Sequence, residues 1–135
     1  MKLKNILKNE KGGAYIEFLV SLSIFLVAAI LILSVMGIFS AKNNLDNVAD
    51  TLIKIAETEG TTNLDYTIEE MRATSGLDFA VNWDGTDYLP GSNKVQLGNV
   101  IKIDVSDEYQ IGVGEFAHTI EMHSRREGMS EKYHK

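Results

Sequence analysis

The sequence predicts an α+β protein in which a long N-terminal transmembrane helix extends into a small antiparallel β-sheet domain. Three observations predict this class. Residues 18–39 carry no charge, and at about 1.5 Å per residue a helix of that length spans roughly 33 Å, enough to cross a bilayer core of about 30 Å. An apolar stripe at helical spacing follows. Beyond residue 77 the period of the apolar residues changes to two, which is typical of half-buried strands.

A basic leader, residues 1–13, precedes the apolar stretch and predicts the orientation of the chain. Its charged residues are four lysines and one glutamate, namely Lys2, Lys4, Lys8, Lys11 and Glu10. Residues 40–59, on the other side of the apolar stretch, contain only two basic residues, Lys42 and Lys54. The excess of lysine marks the cytoplasmic side. We therefore expect a single-pass protein of the cell membrane with a cytoplasmic N-terminus and an extracytoplasmic C-terminal domain.

One helix is predicted over residues 14–59, spanning the lipid bilayer at residues 18–39. Gly12-Gly13 lowers helix propensity before it, and Gly60 supplies a stop after it. In its polar half an apolar stripe recurs every three or four residues and predicts that the domain packs there. The stripe and the residues that widen it are Ala41, Leu45, Val48, Ala49, Leu52, Ile53, Ile55 and Ala56. Two helices with a kink near Ser40 are the alternative.

Residues 60–124 are predicted to form the extracytoplasmic α+β domain. Thr67 and Glu70 match a capping box, which predicts a short helix from about Ile68 to Thr74. Alternating apolar residues then predict a sheet of three or four antiparallel strands. The predicted strand segments are 77–83, 95–97, 101–105, 109–113 and 116–122, with a turn at 106–108. The chain is expected to end in a polar tail, residues 125–135.

Composition and spacing argue against most kinds of chemistry. Residues 40–135 carry nine Lys and Arg against seventeen Asp and Glu, so we expect no nucleic acid partner, which would need a basic surface. The chain has no cysteine. His118 and His123 fall on opposite faces of one predicted strand. We expect no metal, no cofactor and no catalytic residues, hence no enzyme. Arg125-Arg126 is interpreted as solvated tail charge rather than as an anion site.

The most specific local motif lies where the chain enters the membrane, at Lys11-Gly12-Gly13-Ala14-Tyr15-Ile16-Glu17-Phe18. Glu17 is its unusual member, because a carboxylate in a membrane helix costs up to roughly 3 kcal/mol at the bilayer centre and less near the interface. One interpretation places Glu17 in the headgroup layer, where it favours the positive end of the helix. The other gives it a partner in a neighbouring helix.

This motif resembles the class III leader of type IV pilins and pseudopilins. The resemblance implies that a prepilin peptidase cuts after a glycine and that a glutamate stands at the fifth mature position. A cut between Gly12 and Gly13 puts Glu17 fifth, whereas a cut after Gly13 puts it fourth. The new ammonium of Gly13 would pair with Glu17 of another subunit and fix the register between helices. Within that superfamily, the run ending in Glu17-Phe18 resembles TadE-like pseudopilins.

The whole chain is also similar to a set of small bacterial proteins called the domain of unknown function 4320 family. The similarity rests on the leader, the helix, Val81-Asn82-Trp83, residues 94–99 and residues 128–133. Its members are associated with mobile or conjugative elements of Firmicutes-type bacteria. Together the resemblances imply a pilin-like structural subunit of a surface, secretion or conjugation apparatus. It would assemble with other pilin-like subunits by helix–helix packing. The alternative is an unprocessed, single-pass anchored binding or accessory protein.

Overall fold

The computed structural model describes residues 10–112 and 114–135, with the side chains of 10, 11 and 116 left aside. The elements are helix α1 (Glu10–Glu59), helix α2 (Asp65–Ser75), strands β1 (Ala80–Asn82), β2 (Val100–Ile111) and β3 (His118–Met129), and a 3-10 turn at Gly114–Phe116. The predicted α+β class is confirmed, since a long apolar helix is followed by a small three-stranded antiparallel sheet. The chain divides into two compact units, Met1–Gly37 and Ile38–Lys135.

The first unit contains the apolar part of α1. This is one helix that is long and apolar enough, by length and composition, to cross a membrane, and its apolar side chains are exposed. The hydroxyls of Ser23 and Ser34 donate to the carbonyls of Leu19 and Ile30, so neither leaves an unsatisfied polar group in lipid. The predicted leader lies mostly at residues 1–9, outside the described residues.

Helix α1 is longer than predicted at its start and uninterrupted at Ser40. It already includes Gly12 and Gly13, so these glycines lower helix propensity without ending the helix. The helical assignment continues through Ser40 to Glu59 as one element. At Gly60 the backbone turns left-handed (φ +63°) and the Gly60 N–H donates to the Ala56 carbonyl at 2.8 Å. Gly60 is thus the predicted C-terminal stop.

In the second unit, the apolar stripe of α1 is the centre of the core. Leu45, Ala49, Leu52 and Ala56 are completely buried, and the prediction that the domain packs on this half of the helix is confirmed. The other buried apolar residues come from α1, α2, the strands and the loops: Val48, Ile53, Leu64, Ile68, Phe79, Val95, Ile101, Ile103, Val105 and Met122. Trp83 is partly buried against this cluster.

Strand β2 lies between β1 and β3 and is antiparallel to both. It pairs with β3 from Val100 opposite Met129 to Ile111 opposite His118. The turn predicted at residues 106–108 is wrong, because these residues continue the ladder. Their turn-prone side chains alternate along the strand, and pairing with a full-length partner outweighs local propensity.

Three smaller predictions also differ from the structure. Helix α2 begins at Asp65, two residues before the predicted cap Thr67, and Leu64 precedes it with no side-chain cap. Burial of Leu64 and Ile68 on the core, rather than capping, fixes this start. Strand β1 covers three residues of the predicted 77–83. Residues 95–97 form no strand, although Val95 is fully buried and Lys94 makes a single bridge with Thr61.

The C-terminal end is more ordered than a polar tail. Strand β3 continues through the segment expected to be tail and reaches Met129. Ser130 is buried, and its N–H and carbonyl pair with the Asn99 carbonyl and the Gly98 N–H at 2.9 and 2.8 Å. The reason is the register: polar residues at alternate positions of β3 face the helix and find partners there.

Candidate functional site

The predicted site residues Gly12, Gly13, Glu17 and Phe18 all lie on α1 and are exposed. Glu17 follows Gly13 by four residues, which places both on one side of the helix, one turn apart. A Cβ added at either glycine would meet nothing within 4 Å. Packing against the described residues therefore does not require glycine at either position.

Glu17 is surrounded along the helix by apolar side chains. Ile16, Val20 and Ile24 flank it on the same stretch and are each more than half exposed. Among the residues that the structure describes, none forms an ion pair with the Glu17 carboxylate. A carboxylate on an apolar helix surface is costly in hydrocarbon unless water or a cation reaches it. The geometry allows a partner to reach Glu17 from the side of the helix.

A second group of polar residues, which the sequence analysis missed, joins α1 to β3. Asp46 accepts hydrogen bonds from Lys42 Nζ at 2.8 Å and from Ser124 Oγ at 2.6 Å. These two hydrogen bonds, with the charges of Lys42 and Arg126, lower the pKa of Asp46 despite its partial burial. We call Lys42, Asp46, Asp50, Ser124 and Arg126 the helix–strand network. The spacing of four places Lys42, Asp46 and Asp50 on one side of the helix, and this pattern in the sequence could have indicated the network.

Arg126 belongs to this network and not to a solvated tail, so its sequence-based interpretation is wrong. Its Nε donates to Asp50 Oδ1, and its Nη2 lies 3.6 Å from Asp46 Oδ1. The hydrogen bond to Asp50 raises the pKa of Arg126, although partial burial opposes it. Because alternate residues of a strand face opposite sides, Arg125 points outward and is 77% exposed in its side chain. The network can hold β3 on the helix.

On the outer face of the sheet, charged residues pair across β2 and β3. Arg125 Nε donates to Asp104 Oδ2 at 3.0 Å, and His123 Nδ1 lies 3.2 Å from Asp104 Oδ1. Burial raises the pKa of Asp104, but the hydrogen bonds from Arg125 and His123 outweigh it, and the net pKa is lowered. Lys102 Nζ and Glu127 Oε2 are 3.6 Å apart. These exposed pairs favour the register of the two strands by a few tenths of a kcal/mol each.

A third cluster, which we call the C-terminal clasp, closes the end of α1. It consists of Gly60, residues 94–99 and residues 128–134. The Gly60 carbonyl accepts from the Val95 N–H at 2.8 Å and lies 2.9 Å from His134 Nε2. Ser130 Oγ donates to the Val95 carbonyl at 2.9 Å. The two sequence segments singled out for their family resemblance thus meet in one structural unit that ties the C-terminus to the helix.

None of these clusters is arranged to bind a metal ion. Within residues 10–112 and 114–135, no group of three or more His, Asp or Glu side chains converges as metal ligands. His123 and His134 serve instead as neighbours of Asp104 and of the Gly60 carbonyl. The described clusters are structural contacts, and Glu17 with its glycines is the motif that they leave unexplained.

The fold and the exposed apolar helix fit a small membrane-anchored α+β protein, with one candidate span in the part of the chain that the structure describes. The chain belongs to the family described as "Domain of unknown function (DUF4320)", which matches residues 21–135. The matched region begins after Phe18, so it covers the domain and most of the apolar helix but not the glycine–glutamate motif. No curated protein matches the chain. No solved structure matches it either.

Proposed function

We propose that this protein is a TadE-like, pseudopilin-like structural subunit of a surface, secretion or conjugation apparatus, and that it assembles through its N-terminal helix. The observation that carries the proposal is Glu17, a lone carboxylate on an otherwise uncharged and exposed apolar helix surface. An anchor needs no such residue, whereas an assembly helix uses a charge to select its partner and register.

In this proposal a prepilin peptidase removes the basic leader on the cytoplasmic side. A cut between Gly12 and Gly13 makes Glu17 the fifth residue and creates an ammonium on Gly13. Each Gly residue costs a helix about 1 kcal/mol relative to Ala, so the first turn of α1 unwinds easily into the extended form that a peptidase requires. The Gly13 ammonium of one subunit then pairs with Glu17 of the next, and Phe18 to Phe39 pack side by side. The domain faces outward.

The test compares the N-terminus with and without an active prepilin peptidase. Protein extracted from membranes is sequenced from its N-terminus, and a new terminus at Gly13 or Ala14 is expected only where the peptidase is active. An intact Met1 beside an active peptidase contradicts processing. Gly12→Leu, at a position where an added Cβ would meet nothing within 4 Å, should block the cut that leaves Gly13 as the new terminus.

Assembly is tested separately from processing, on membrane-inserted full-length protein. We expect Glu17→Ala to leave insertion unchanged but to weaken cross-linking between helices, because the paired charge is lost. Ser21→Ala, one turn further along the same side, is the matched control and should cross-link normally. Equal cross-linking of Glu17→Ala and the unchanged protein would leave Glu17 as an interfacial residue only.

The alternative, an unprocessed anchored accessory protein, is favoured by one observation. Gly12 and Gly13 are helical, which is not the conformation in which a peptide bond is cut. In that case Glu17 lies in the headgroup layer near the positive end of the helix. An intact N-terminus, together with unchanged membrane insertion and unchanged cross-linking of Glu17→Ala, would favour this alternative.

A further inference from the structure

A groove of about 460 Å³ lies in the second unit, between helix α2 and strand β1. Its volume falls within the range of small-molecule sites, roughly 300–1,000 Å³. Two loops complete the lining, one before α2 and one after β1. The groove shares no residue with the helix–strand network, the C-terminal clasp or the charged pairs on the outer face of the sheet. It therefore needs an explanation of its own.

The apolar part of the lining includes two aromatic side chains. Ile68 is buried in the core, and Val81 and Trp83 pack against that core with part of their surface exposed. Tyr88 is 39% exposed, and its hydroxyl lies 3.0 Å from the hydroxyl of the buried Thr62. Contacts within the protein thus hold both aromatic rings in place, while each ring keeps surface that a ligand can cover.

Three polar side chains of the lining, those of Asn63, Asp65 and Asn93, are exposed and have no hydrogen-bond partner in the part of the chain that the structure describes. Their backbones are nevertheless fixed. The Asn93 carbonyl accepts from the Thr62 N–H at 3.1 Å and from Thr61 Oγ1 at 3.0 Å. The Asn63 N–H donates to Thr61 Oγ1 at 3.2 Å. Donors and acceptors that are unused and already positioned lower the cost of binding a polar ligand.

The charges of the lining disfavour an anion and attract a cation only weakly. Arg72 Nη1 donates to Glu69 Oε1 at 2.7 Å, and its Nε and Nη2 donate to the Phe79 carbonyl at 3.0 and 2.8 Å. Its guanidinium is therefore occupied, and the lining holds two carboxylates against this one cation. An anion would meet excess negative charge. The Asp65 carboxylate is exposed, and water screens its attraction for a cation. A neutral ligand suits this balance.

A neutral saccharide combines the two kinds of surface that the groove offers. The faces of aromatic rings carry partial negative charge, and the C–H groups on one face of a sugar ring are apolar and weakly positive, so the two surfaces stack. The hydroxyls around the sugar ring both donate and accept hydrogen bonds. The amides of Asn63 and Asn93 also do both, and the two oxygens of Asp65 accept from neighbouring hydroxyls.

We propose that the groove between α2 and β1 binds a neutral saccharide, with a sugar ring against Trp83 or Tyr88 and its hydroxyls bonded to Asn63, Asp65 and Asn93. A free oligosaccharide and a polymeric glycan share this chemistry. The rim of the groove is exposed, so a sugar chain can extend out of it. The domain thereby recognises a ligand in addition to any role of the N-terminal helix in assembly.

The test is a titration of the full-length protein in a polyoxyethylene detergent, whose headgroup is not a sugar. Trp83 is the single tryptophan, so its fluorescence reports occupancy of the groove. The probes are chitotriose, cellotriose and maltotriose, with choline as a cationic comparison and trigalacturonate as an anionic one. We expect a saturable change with at least one neutral trisaccharide at millimolar or lower concentration, and none with choline or trigalacturonate. Binding of choline alone would overturn the proposal, and so would the lack of a saturable change with all three trisaccharides.

Two substitutions locate the binding site in the groove. Asn93→Ala and Asp65→Ala remove side chains without a partner in the described chain, so the fold is expected to persist, which urea unfolding verifies. Each should weaken trisaccharide binding by about fivefold, the equivalent of one net hydrogen bond. Asn43→Ala, at an exposed asparagine of α1, is the matched control and should bind as the unchanged protein does. Equal affinity of all three variants would place the sugar elsewhere and refute the proposed site.

Beads of the polymer that matches the bound trisaccharide distinguish the two sources of the sugar. Retention on the beads, with elution by the trisaccharide, supports a polymeric glycan as the ligand. Binding of the trisaccharide without retention supports a free oligosaccharide. Neither measurement requires a prepilin peptidase or cross-linking of helices, so failure of this proposal and failure of the proposed assembly are separate outcomes.

Discussion

Substitution of Gly60 by alanine tests whether the C-terminal clasp holds the end of helix α1. Gly60 has φ +63°, and a Cβ there would lie 2.7 Å from His134 Nε2 and 2.8 Å from Lys132 Cβ. The left-handed conformation costs a non-glycine residue about 1–2 kcal/mol. Displacing His134 also breaks its bond to the Gly60 carbonyl, worth about 1 kcal/mol. We expect Gly60→Ala to lower the free energy of unfolding by about 2–3 kcal/mol.

Gly76 is the matched control, because it caps α2 in the same conformation without neighbours. Its φ is +67°, its N–H donates to the Arg72 carbonyl, and a Cβ there would meet nothing within 4 Å. Gly76→Ala should therefore lower the free energy of unfolding only by the conformational cost, about 1–2 kcal/mol. The difference between the two variants measures the contact with the clasp.

Urea unfolding of the full-length protein in detergent, followed by the fluorescence of Trp83, the single tryptophan, measures both changes. In a chain that ends at Ser130, Lys132 and His134 are missing, and Gly60→Ala should then cost no more than Gly76→Ala. Equal costs for the two variants in the full-length chain would refute the reasoning. An unchanged cost of Gly60→Ala in the shortened chain would refute it as well.

Three further predictions concern the second unit and use the same unfolding measurement. Leu52→Ala, at a completely buried position, should lower the free energy of unfolding by about 2–5 kcal/mol. Leu97→Ala, at a side chain 54% exposed, should lower it by well under half of that. Equal losses for the two variants would contradict the burial of Leu52 in the core. Arg126→Ala should cost about 1–2 kcal/mol because Asp50 loses its partner, and Arg125→Ala, on the exposed outer face, at most about 0.5 kcal/mol. The free energy of unfolding should fall as the pH drops below about 4, because Asp46 and Asp104 have lowered pKa values in the folded domain. Their contribution to stability is present above the ordinary pKa of 3.8 and is lost as the two carboxylates protonate. Asp46→Asn should flatten this pH dependence, and a pH profile unchanged by that substitution would contradict the prediction.

The helical elements could be predicted because their signals are local. An uncharged run from Phe18 to Phe39 and the stripe through Leu45 and Leu52 determine the long helix and its buried side, since apolar periodicity selects both. Gly60 ends the helix because only glycine adopts φ +63° without cost. The motif at Gly12 and Glu17 is equally visible in the sequence, and its proposed role in assembly stays a prediction.

The extent of the strands could not be predicted, because their pairing is not local. Ser106, Asp107 and Glu108 have the side chains of a turn, yet they lie within β2 because β3 offers a partner for each. Arg126 has the sequence context of a solvated tail, and only its approach to Asp50 places it in the helix–strand network. The clasp likewise joins residues far apart in the chain.

Sequence alone therefore determined that this protein has an apolar helix able to span a membrane, where that helix ends, and which of its sides a domain covers. These features follow from the free energy of burying or exposing each side chain along one helix. Only the tertiary structure decided that β3 continues to Met129, that the C-terminus closes the end of α1, and that Arg126 of β3 lies against Asp50 of α1. Each of these rests on contacts between residues distant in sequence, whose pairing no local pattern specifies.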